Sequence, residues 1–228
     1  MSQTRHRYVP AAGHPAFTRL YDPAMALTMR ERTWRPWLQS MVIASLPDGG
    51  TAVDVGAGTG TFAIALAAAR PDATVVAIDG DEQVMGVARN KEGKTGVDWR
   101  VGMAGALPVE SGRADAVVMS LLLHHLDSGS KAAALTETAR VLRRGGRLYV
   151  ADWGKPHDPL MRGTFLVLRA LDGFSNTRDH AAGRLPETIA AAGFDEVTLE
   201  RRLRTAWGRL ELISAVVRTS QDTREQLS

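Results

Sequence analysis

The 228-residue sequence contains no cysteine, which excludes disulfide bonds, thiolate metal sites, iron–sulfur clusters and a cysteine nucleophile. Its six histidines show neither an HxxxH nor an HExxH spacing, so we expect no catalytic metal held by the protein. No apolar run approaches the roughly 20 residues that a membrane span needs. The N-terminal residues also lack the apolar segment of a signal peptide. We therefore expect a cytoplasmic protein without integral membrane contact.

Net charge is also small. The sequence has 28 Lys and Arg residues and 25 Asp and Glu residues, which leaves +3 at pH 7. A nucleic-acid-binding surface would need a longer basic stripe interleaved with aromatic side chains, so we expect no nucleic-acid partner. With 44% hydrophobic and 23% charged residues, the composition is typical of one folded domain rather than a disordered chain.

From residue 50 onwards, short apolar runs alternate with helical patterns. The runs predict strands at 51–55, 74–78, 97–101, 114–122 and 148–151, and the patterns between them predict helices at 61–70, 82–91 and 131–142. Such alternation is typical of βαβ units. We therefore expect an α/β fold with a Rossmann-like, doubly wound, mostly parallel sheet and helices on both faces. Two last apolar runs, 196–203 and 210–217, predict an antiparallel C-terminal strand.

The chain divides into a helical leader and a main domain. Residues 1–46 are interpreted as an N-terminal helical lid segment, which Pro23 and Pro36 break into pieces. Residues 47–219 form the main domain, and residues 220–228 are a polar tail.

A second variable segment interrupts the alternation at 155–183. A helix is predicted over 160–171, and 173–183 reads as a loop. We interpret the segment as a lid insertion. Its later polar residues are expected at the surface; they are Arg178, Asp179 and His180.

The most specific motif is the glycine loop within Val53–Gly60, where a strand runs into three alternating glycines and then a helix. A P-loop would end in GK[ST], which is absent here. A dinucleotide fingerprint would place its third glycine at position 61, where Thr61 stands. Asp54 lies two residues before the first glycine, and a carboxylate there suits a ligand with an ammonium group.

A second acidic residue, Asp79, closes the next predicted strand. It lies 21 residues after Gly58. An acid at this distance can hold two ribose hydroxyls at the carboxyl edge of a parallel sheet. The pairing of Asp79 with the glycine loop is more specific than either feature alone.

On these features the sequence resembles the class I S-adenosylmethionine-dependent methyltransferases. The resemblance covers about residues 50–153 and also includes, in order, Ala77–Asp81, Gly102–Ala104, Ala114–Leu126 and Ala139–Gly146. Leu20–Asp22 resembles the ubiquinone/menaquinone C-methyltransferase and phospholipid N-methyltransferase branches. The implied fold is the same Rossmann-like sheet, and the implied cofactor is S-adenosylmethionine.

The resemblance also implies which residues hold the cofactor. Asp54 would receive its ammonium group through water, and the glycine loop would wrap its methionine part with Gly56, Ala57, Gly58 and Thr59. Asp79 would hold the ribose. Around the adenine ring and the sulfonium, the implied contacts are Gly80, Met85, the backbone N–H of Ala104, Ser120, Leu121 and, closing from the leader, Tyr21.

Met103 departs from the family pattern. Family members often carry at this position an acid that accepts a hydrogen bond from the adenine amino group. A methionine cannot replace that bond, although it can pack against the ring.

The candidate catalytic residues are His124, His125 and Asp152, which follow the fourth and fifth strands of the alternation, where ligands of such sheets bind. A histidine there could act as a general base. The alternative is that the histidines shape the loop and that Asp152 caps its strand.

We expect methyl transfer to a small-molecule acceptor through an oxygen, nitrogen or carbon nucleophile. The alternatives are a non-catalytic S-adenosylmethionine-binding sensor or partner subunit and, less favoured, an NAD-dependent oxidoreductase. No NPPY-like tetrapeptide of an amino-directed nucleic-acid methyltransferase follows the fourth strand. A homodimer is the default expectation for the assembly.

Overall fold

The structure is a computed structural model that describes residues 28–174 and 176–218. Most of the predicted leader, including Tyr21 and Pro23, lies outside the described residues, as does the predicted tail at 220–228. The boundary between a lid segment and a main domain at 46/47 therefore stays a prediction.

In the part of the chain that the structure describes, seven strands form one sheet. They are β1 (Thr51–Val55), β2 (Thr74–Asp79), β3 (Asp98–Val101), β4 (Ala114–Ser120), β5 (Leu142–Gly154), β6 (Phe194–Arg204) and β7 (Arg209–Val217). Their order across the sheet is β3-β2-β1-β4-β5-β7-β6. The pairs among β1 to β5 are parallel, whereas β7 runs antiparallel to both of its neighbours. The predicted doubly wound sheet with an antiparallel C-terminal strand is thus confirmed.

Helices cover both faces of the sheet. They are α1 (Glu31–Ser45), α2 (Thr61–Ala69), α3 (Glu82–Glu92), α4 (Ser128–Val141), α5 (Pro159–Asp172), α6 (Arg178–Ala182) and α7 (Leu185–Ala191), with a short 3-10 turn at Leu123–His125. The β-branched and apolar residues of the central strands are buried from both sides, as expected of a sheet with two covered faces.

Helix α1 packs on the same sheet face as α2. Its residues Trp34, Leu38 and Val42 are spaced four apart and are fully buried in a core cluster with Phe62 and Leu66 of α2. Burying side chains of this size stabilises the fold by about 2 kcal/mol each. The described part of the predicted lid segment is therefore anchored to the sheet.

Pro36 was expected to break this helix, and that prediction is wrong. The helix continues through Pro36 to Ser45. Proline removes the N–H that would bond the carbonyl four residues earlier, on Arg32. Both residues are exposed, so water can hydrate that carbonyl and the loss is tolerated.

Other boundaries also differ from the predictions. Strand β4 ends at Ser120, two residues earlier than predicted, while β5 extends over Leu142–Gly154 instead of 148–151. The glycine pair at 145–146 lies inside β5, beside a register irregularity against β4. The stretch 173–183 contains α6, a helix too short to show a period.

No helix in the described ranges combines the length and the apolarity that are needed to cross a membrane.

Candidate functional site

The candidate site lies at the carboxyl ends of the central strands. Strand β1 is flanked by β2 on one side and β4 on the other, so the chain winds in opposite directions from the β1–β4 boundary. A crevice opens at such a switch point, and ligands of doubly wound sheets bind there. The loops that follow β1, β2, β4 and β5 all meet at this edge.

The glycine loop follows β1 and is held by the backbone of β2. Gly56, Gly58 and Gly60 all have positive φ angles, of 72°, 55° and 73°. The N–H groups of Gly56 and Ala57 both donate to the carbonyl of Ile78, at 2.8 and 3.0 Å. These three glycine conformations let the chain reverse direction tightly before α2 begins at Thr61.

The three glycines differ in what surrounds them. A Cβ at Gly56 would lie 2.8 Å from Leu122 Cδ1, and a Cβ at Gly60 would overlap the ring of Trp99. Among the described residues, a Cβ at Gly58 would meet no heavy atom within 4 Å. Gly56 and Gly60 are therefore required by packing, whereas Gly58 faces open space where a ligand can approach the main chain.

Asp79 ties the loop to the end of β2. Its Oδ2 accepts a hydrogen bond from Gly58 N–H at 2.8 Å, and its Oδ1 accepts one from Asp81 N–H at 2.9 Å. Each carboxylate oxygen keeps a second lone pair. The side chain can therefore hold the loop and accept hydrogen bonds from two further donors.

Asp54 is a buried carboxylate beneath the loop. It is 2% exposed, and neither oxygen has a hydrogen-bond partner among the described residues. Burial raises the pKa of Asp54 from 3.8 to about 7. The positive charge of Arg35 lowers this pKa, and the negative charge of Asp79 raises it by a smaller amount. A carboxyl that is buried without a hydrogen bond can gain one from a ligand.

The adenine side of the predicted site is formed by the loops after β2 and β3. Met103 is 51% exposed, and its Sδ lies 2.9 Å from the position of a Cβ on Gly80. Ala104 is half-buried beside it. Met85, which was expected to flank the adenine, is fully buried on the inner face of α3, so its side chain offers no surface to a ligand in this conformation.

The loop after β4 approaches the glycine loop. Ser120 and Leu121 are half-buried, and Leu121 adopts a positive φ of 53°, which is strained for a residue with a side chain. Leu121 N–H donates to the carbonyl of Ala151 at 2.8 Å, which fixes this loop to β5. Leu122 contacts the loop at Gly56.

Asp152 and His124 form a buried pair at the end of β5. Asp152 is fully buried and accepts from the N–H groups of Leu123 and His124 at 2.8 and 3.3 Å. His124 Nδ1 lies 2.8 Å from Asp152 Oδ1. Burial opposes ionisation of Asp152, but His124 and His180 outweigh it and hold the pKa of this carboxyl below its usual range. Asp152 therefore shapes the turn and orients an imidazole, and an acceptor in this conformation would not touch it.

His125 is exposed, and its ring centroid lies 4.0 Å from that of His124. The two histidines thus occupy different environments, and the structure brings His124 rather than His125 to Asp152.

Two residues near this pair were not predicted from the sequence. His180 was expected at the surface, but it is fully buried, with Nε2 3.6 Å from Asp152 Oδ1. Lys131 of α4 is also fully buried; its Nζ donates to the carbonyl of Asn176 and lies 3.6 Å from Asp179 Oδ2. Desolvation lowers the pKa of Lys131, although Asp179 and Asp152 oppose the shift. No local spacing indicates these contacts, because packing of the insertion creates them.

In the described part of the chain, no group of three or more His, Cys, Asp or Glu side chains could hold a metal ion.

A family model described as a methyltransferase domain matches residues 52–146. The chain is 32% identical over 152 residues to malonyl-[acyl-carrier protein] O-methyltransferase of Methylococcus capsulatus, an alignment that covers 66% of this chain and 54% of that protein. It is 30% identical over 171 residues to the ubiquinone/menaquinone biosynthesis C-methyltransferase UbiE of Syntrophotalea carbinolica, which covers 71% and 69%. The chain thus spans about half to two thirds of these curated relatives.

The fold is similar to that of solved structures. A SAM-dependent methyltransferase of Thermotoga maritima superposes with a TM-score of 0.66 at 23% identity, over 89% of this chain and 97% of that chain. At this identity the likeness shows the fold alone.

Proposed function

The chain belongs to the class I S-adenosylmethionine-dependent methyltransferases, and from this premise we propose that it transfers the methyl group of S-adenosylmethionine to a small-molecule acceptor. The observation that carries the proposal is the space at Gly58, which is open among the described residues. Nearby lie Asp79, a proposed acceptor for ribose, and the buried carboxyl of Asp54, which has no hydrogen bond among those residues.

The residues present fit this cofactor. The unpartnered carboxylate of Asp54 suits an ammonium group, and Asp79 has lone pairs left for two hydroxyls while it holds Gly58. The loop presents main chain without side chains to the open space. When bound, the cofactor supplies a methyl group on a positively charged sulfur.

The protein's own contribution is orientation and exclusion of water. Asp54, Asp79 and the glycine loop fix the cofactor, and the turn after β4 brings Ser120 and Leu121 to its reactive end. Charge is lost from sulfur during transfer, so a dry site favours the reaction. The insertion contacts the turn after β4, because Asn176 Nδ2 donates to the carbonyl of His125 at 3.0 Å.

The acceptor is proposed to be small and organic. The matched relatives act, by their names, on ubiquinone or menaquinone precursors and on malonyl-acyl-carrier protein. Their printed activities include carbon and oxygen methylation, so the chain's own nucleophile is not fixed by family membership. Of the two branches that the sequence resembles, the ubiquinone/menaquinone one is supported by the UbiE relative.

We also propose a cytoplasmic location, no nucleic-acid partner and a homodimer. The small net charge of +3 supports the absence of a nucleic-acid partner. Two-fold homodimers are the commonest of protein oligomers.

A non-catalytic sensor that binds the same cofactor is the second candidate. It is favoured by one observation: Met103 stands where an acid often binds the adenine amino group, so the cofactor site departs from its usual form.

The test uses Gly58→Val and a matched control, Gly112→Val. Both glycines have positive φ angles, of 55° and 69°, and a Cβ at either would meet no heavy atom within 4 Å. The two variants therefore carry similar backbone strain, but only Gly58→Val fills the proposed site. We expect both to fold and only Gly58→Val to lose binding of S-adenosylhomocysteine. Equal affinity of the two variants would contradict the proposed site.

A second assay distinguishes the two candidate functions, enzyme and sensor. It measures the transfer of labelled methyl from S-adenosylmethionine to quinol, phenol, β-keto ester and amine acceptors. Turnover by the control variant and wild type supports the enzyme. Tight binding without turnover on any acceptor favours the sensor.

A further inference from the structure

His180 is buried in a way that a purely structural histidine seldom is. The side chain is fully buried, and neither ring nitrogen has a hydrogen-bond partner among the described residues. Buried polar side-chain atoms almost always have one, because leaving them unpaired costs stability. A ring in this state indicates a partner that joins the site later.

Two imidazole rings, those of His124 and His180, face the same carboxylate oxygen of Asp152, and each does so through a different ring nitrogen. His124 approaches Asp152 Oδ1 through Nδ1 at 2.8 Å, and His180 approaches it through Nε2 at 3.6 Å. The two rings are perpendicular, with centroids 6.3 Å apart. If Nε2–H of His180 points at Asp152, its Nδ1 carries a lone pair that can accept a proton.

Asp152 links this position to the turn that is proposed to lie at the reactive end of the cofactor. Asp152 directly follows Ala151, whose carbonyl holds Leu121 of the turn after β4. In enzymes without bound substrate, the hydrogen bonds between catalytic residues are often long, and they shorten when substrate binds. The 3.6 Å between His180 Nε2 and Asp152 Oδ1 is compatible with such a contact.

We propose that His180 is a catalytic residue that accepts the proton of a hydroxyl or enol acceptor, with Asp152 holding its ring. The inference rests on the proposed methyl transfer and names its acceptor class. The acceptor's oxygen or α-carbon forms a bond to the methyl carbon, and the methyl–sulfur bond breaks with its electron pair left on sulfur. The hydroxyl proton passes to Nδ1 of His180 and then to water.

His180 reaches the site through the insertion. Nζ of Lys131 donates to the carbonyl of Asn176, and Asn176 Nδ2 donates to the carbonyl of His125 at 3.0 Å. These polar contacts dock the insertion onto the turn after β4. Since His180 is buried when they are made, the insertion must lift to admit the acceptor and close again before transfer.

The charged and titratable groups around His180 come from each element packed there. They are Asp152 from β5, His124 from the 3-10 turn, Lys131 from α4 and, on its own helix, Asp179, which pairs with Arg184 at 3.1 Å. A pH profile therefore has to be compared with that of a variant in which only His180 is changed.

The activity test compares His180→Gln with His157→Gln in the full chain. His157 lies in the same insertion, and its side chain is 51% exposed, so it is a matched control. We expect both variants to bind S-adenosylhomocysteine like wild type. With a quinol or β-keto ester acceptor, His180→Gln should lose about 100-fold or more in kcat at neutral pH with little change in KM. The loss should shrink as the pH approaches the acceptor's own ionisation.

A wild-type kcat and pH profile in His180→Gln would overturn the proposal, as would turnover of amines with none of hydroxyl or enol acceptors. If the wild-type protein does not bind S-adenosylhomocysteine, that result would instead contradict the proposed function.

A second measurement does not need an acceptor. Long-range proton–nitrogen NMR spectra of the unliganded protein report which ring nitrogen of His180 carries the proton. We expect Nε2–H in wild type and a mixture of tautomers in Asp152→Asn. The Nδ1–H tautomer in wild type would overturn the proposal even if no tested acceptor is methylated.

Discussion

The carboxylate of Asp79 accepts a hydrogen bond from the backbone N–H of Gly58 at 2.8 Å, which joins the end of β2 to the centre of the glycine loop. The residue predicted to hold the ribose thus also fixes the glycine loop. If Asp79 binds the ribose as proposed, one side chain couples cofactor binding to the geometry of the loop.

Replacing Asp79 should weaken binding of S-adenosylhomocysteine. Asp79→Ala removes a charge-assisted hydrogen bond to the loop and the acceptor for the ribose, a loss of about 1.5–3 kcal/mol, or roughly 10- to 100-fold in affinity. Calorimetric titration measures it. Asp98→Ala is the control, because Asp98 is an acid of the neighbouring strand that pairs with Arg100 away from the loop. Equal affinity in both variants would contradict the role of Asp79.

Cofactor affinity should depend on the protonation of Asp54. Its pKa of about 7 in the unliganded protein means that the carboxyl is largely neutral at pH 6 and largely ionised at pH 8. Since only the ionised form attracts an ammonium group, affinity for S-adenosylhomocysteine should rise about tenfold between these values. Titrations of wild type and Asp54→Asn across this range measure the effect. A variant with the same pH dependence as wild type would contradict the prediction.

The raised pKa of Asp54 should also make the stability of the protein depend on pH. The pKa of Asp54 is raised on folding, so the folded chain binds more protons than the unfolded chain between pH 4 and 7. The contribution of Asp54 to stability therefore falls as pH rises through this window. We expect Asp54→Asn to match wild type near pH 4 and to be more stable by up to about 4 kcal/mol above pH 7. Denaturant unfolding at both pH values measures it, and a constant difference would be inconsistent with the buried carboxyl.

An acid at position 103 should strengthen cofactor binding. Met103→Asp supplies an acceptor for the adenine amino group, and the residue is 51% exposed, so the change should cost little stability. The expected gain in affinity is about tenfold. Val87→Asp, on the exposed face of α3 at 53% exposure, controls for added negative charge. A gain in both variants, or in neither, would argue against adenine at this position.

The glycines of the loop should differ in their tolerance of alanine. Gly60→Ala drives a methyl group into Trp99 at a positive φ, whereas Gly58→Ala meets strain alone. We expect losses of about 2–4 and about 1–2 kcal/mol, respectively. Thermal unfolding would show the first as a fall of about 4–16 °C in Tm. Equal losses would mean that Trp99 yields to the added methyl group.

Features encoded by short-range spacing could be predicted from the sequence. The alternation of apolar runs and helical patterns predicted the positions of the central strands along the chain and their parallel direction. Such patterns suffice because each βαβ unit places the end of one strand beside the end of the next. The hydrogen bond between Gly58 and Asp79 was not predicted, although both residues were assigned to the same edge of the sheet.

Features created by long-range packing could not be predicted from the sequence. His180 and Asp152 are 28 residues apart, and their contact depends on how the insertion folds back over β5. Pro36 lies inside α1 because it faces solvent, and the burial of Met85 follows from the rotation of α3 against the sheet. None of these environments has a local pattern.

The most direct test of the proposed cofactor site is a calorimetric titration of the full chain with S-adenosylmethionine, S-adenosylhomocysteine and NAD. We predict binding of the first two in the micromolar range, tighter at pH 8 than at pH 6, and no binding of NAD. Binding of NAD alone, or of none of the three, would contradict the assignment of the glycine loop, Asp54 and Asp79 to S-adenosylmethionine.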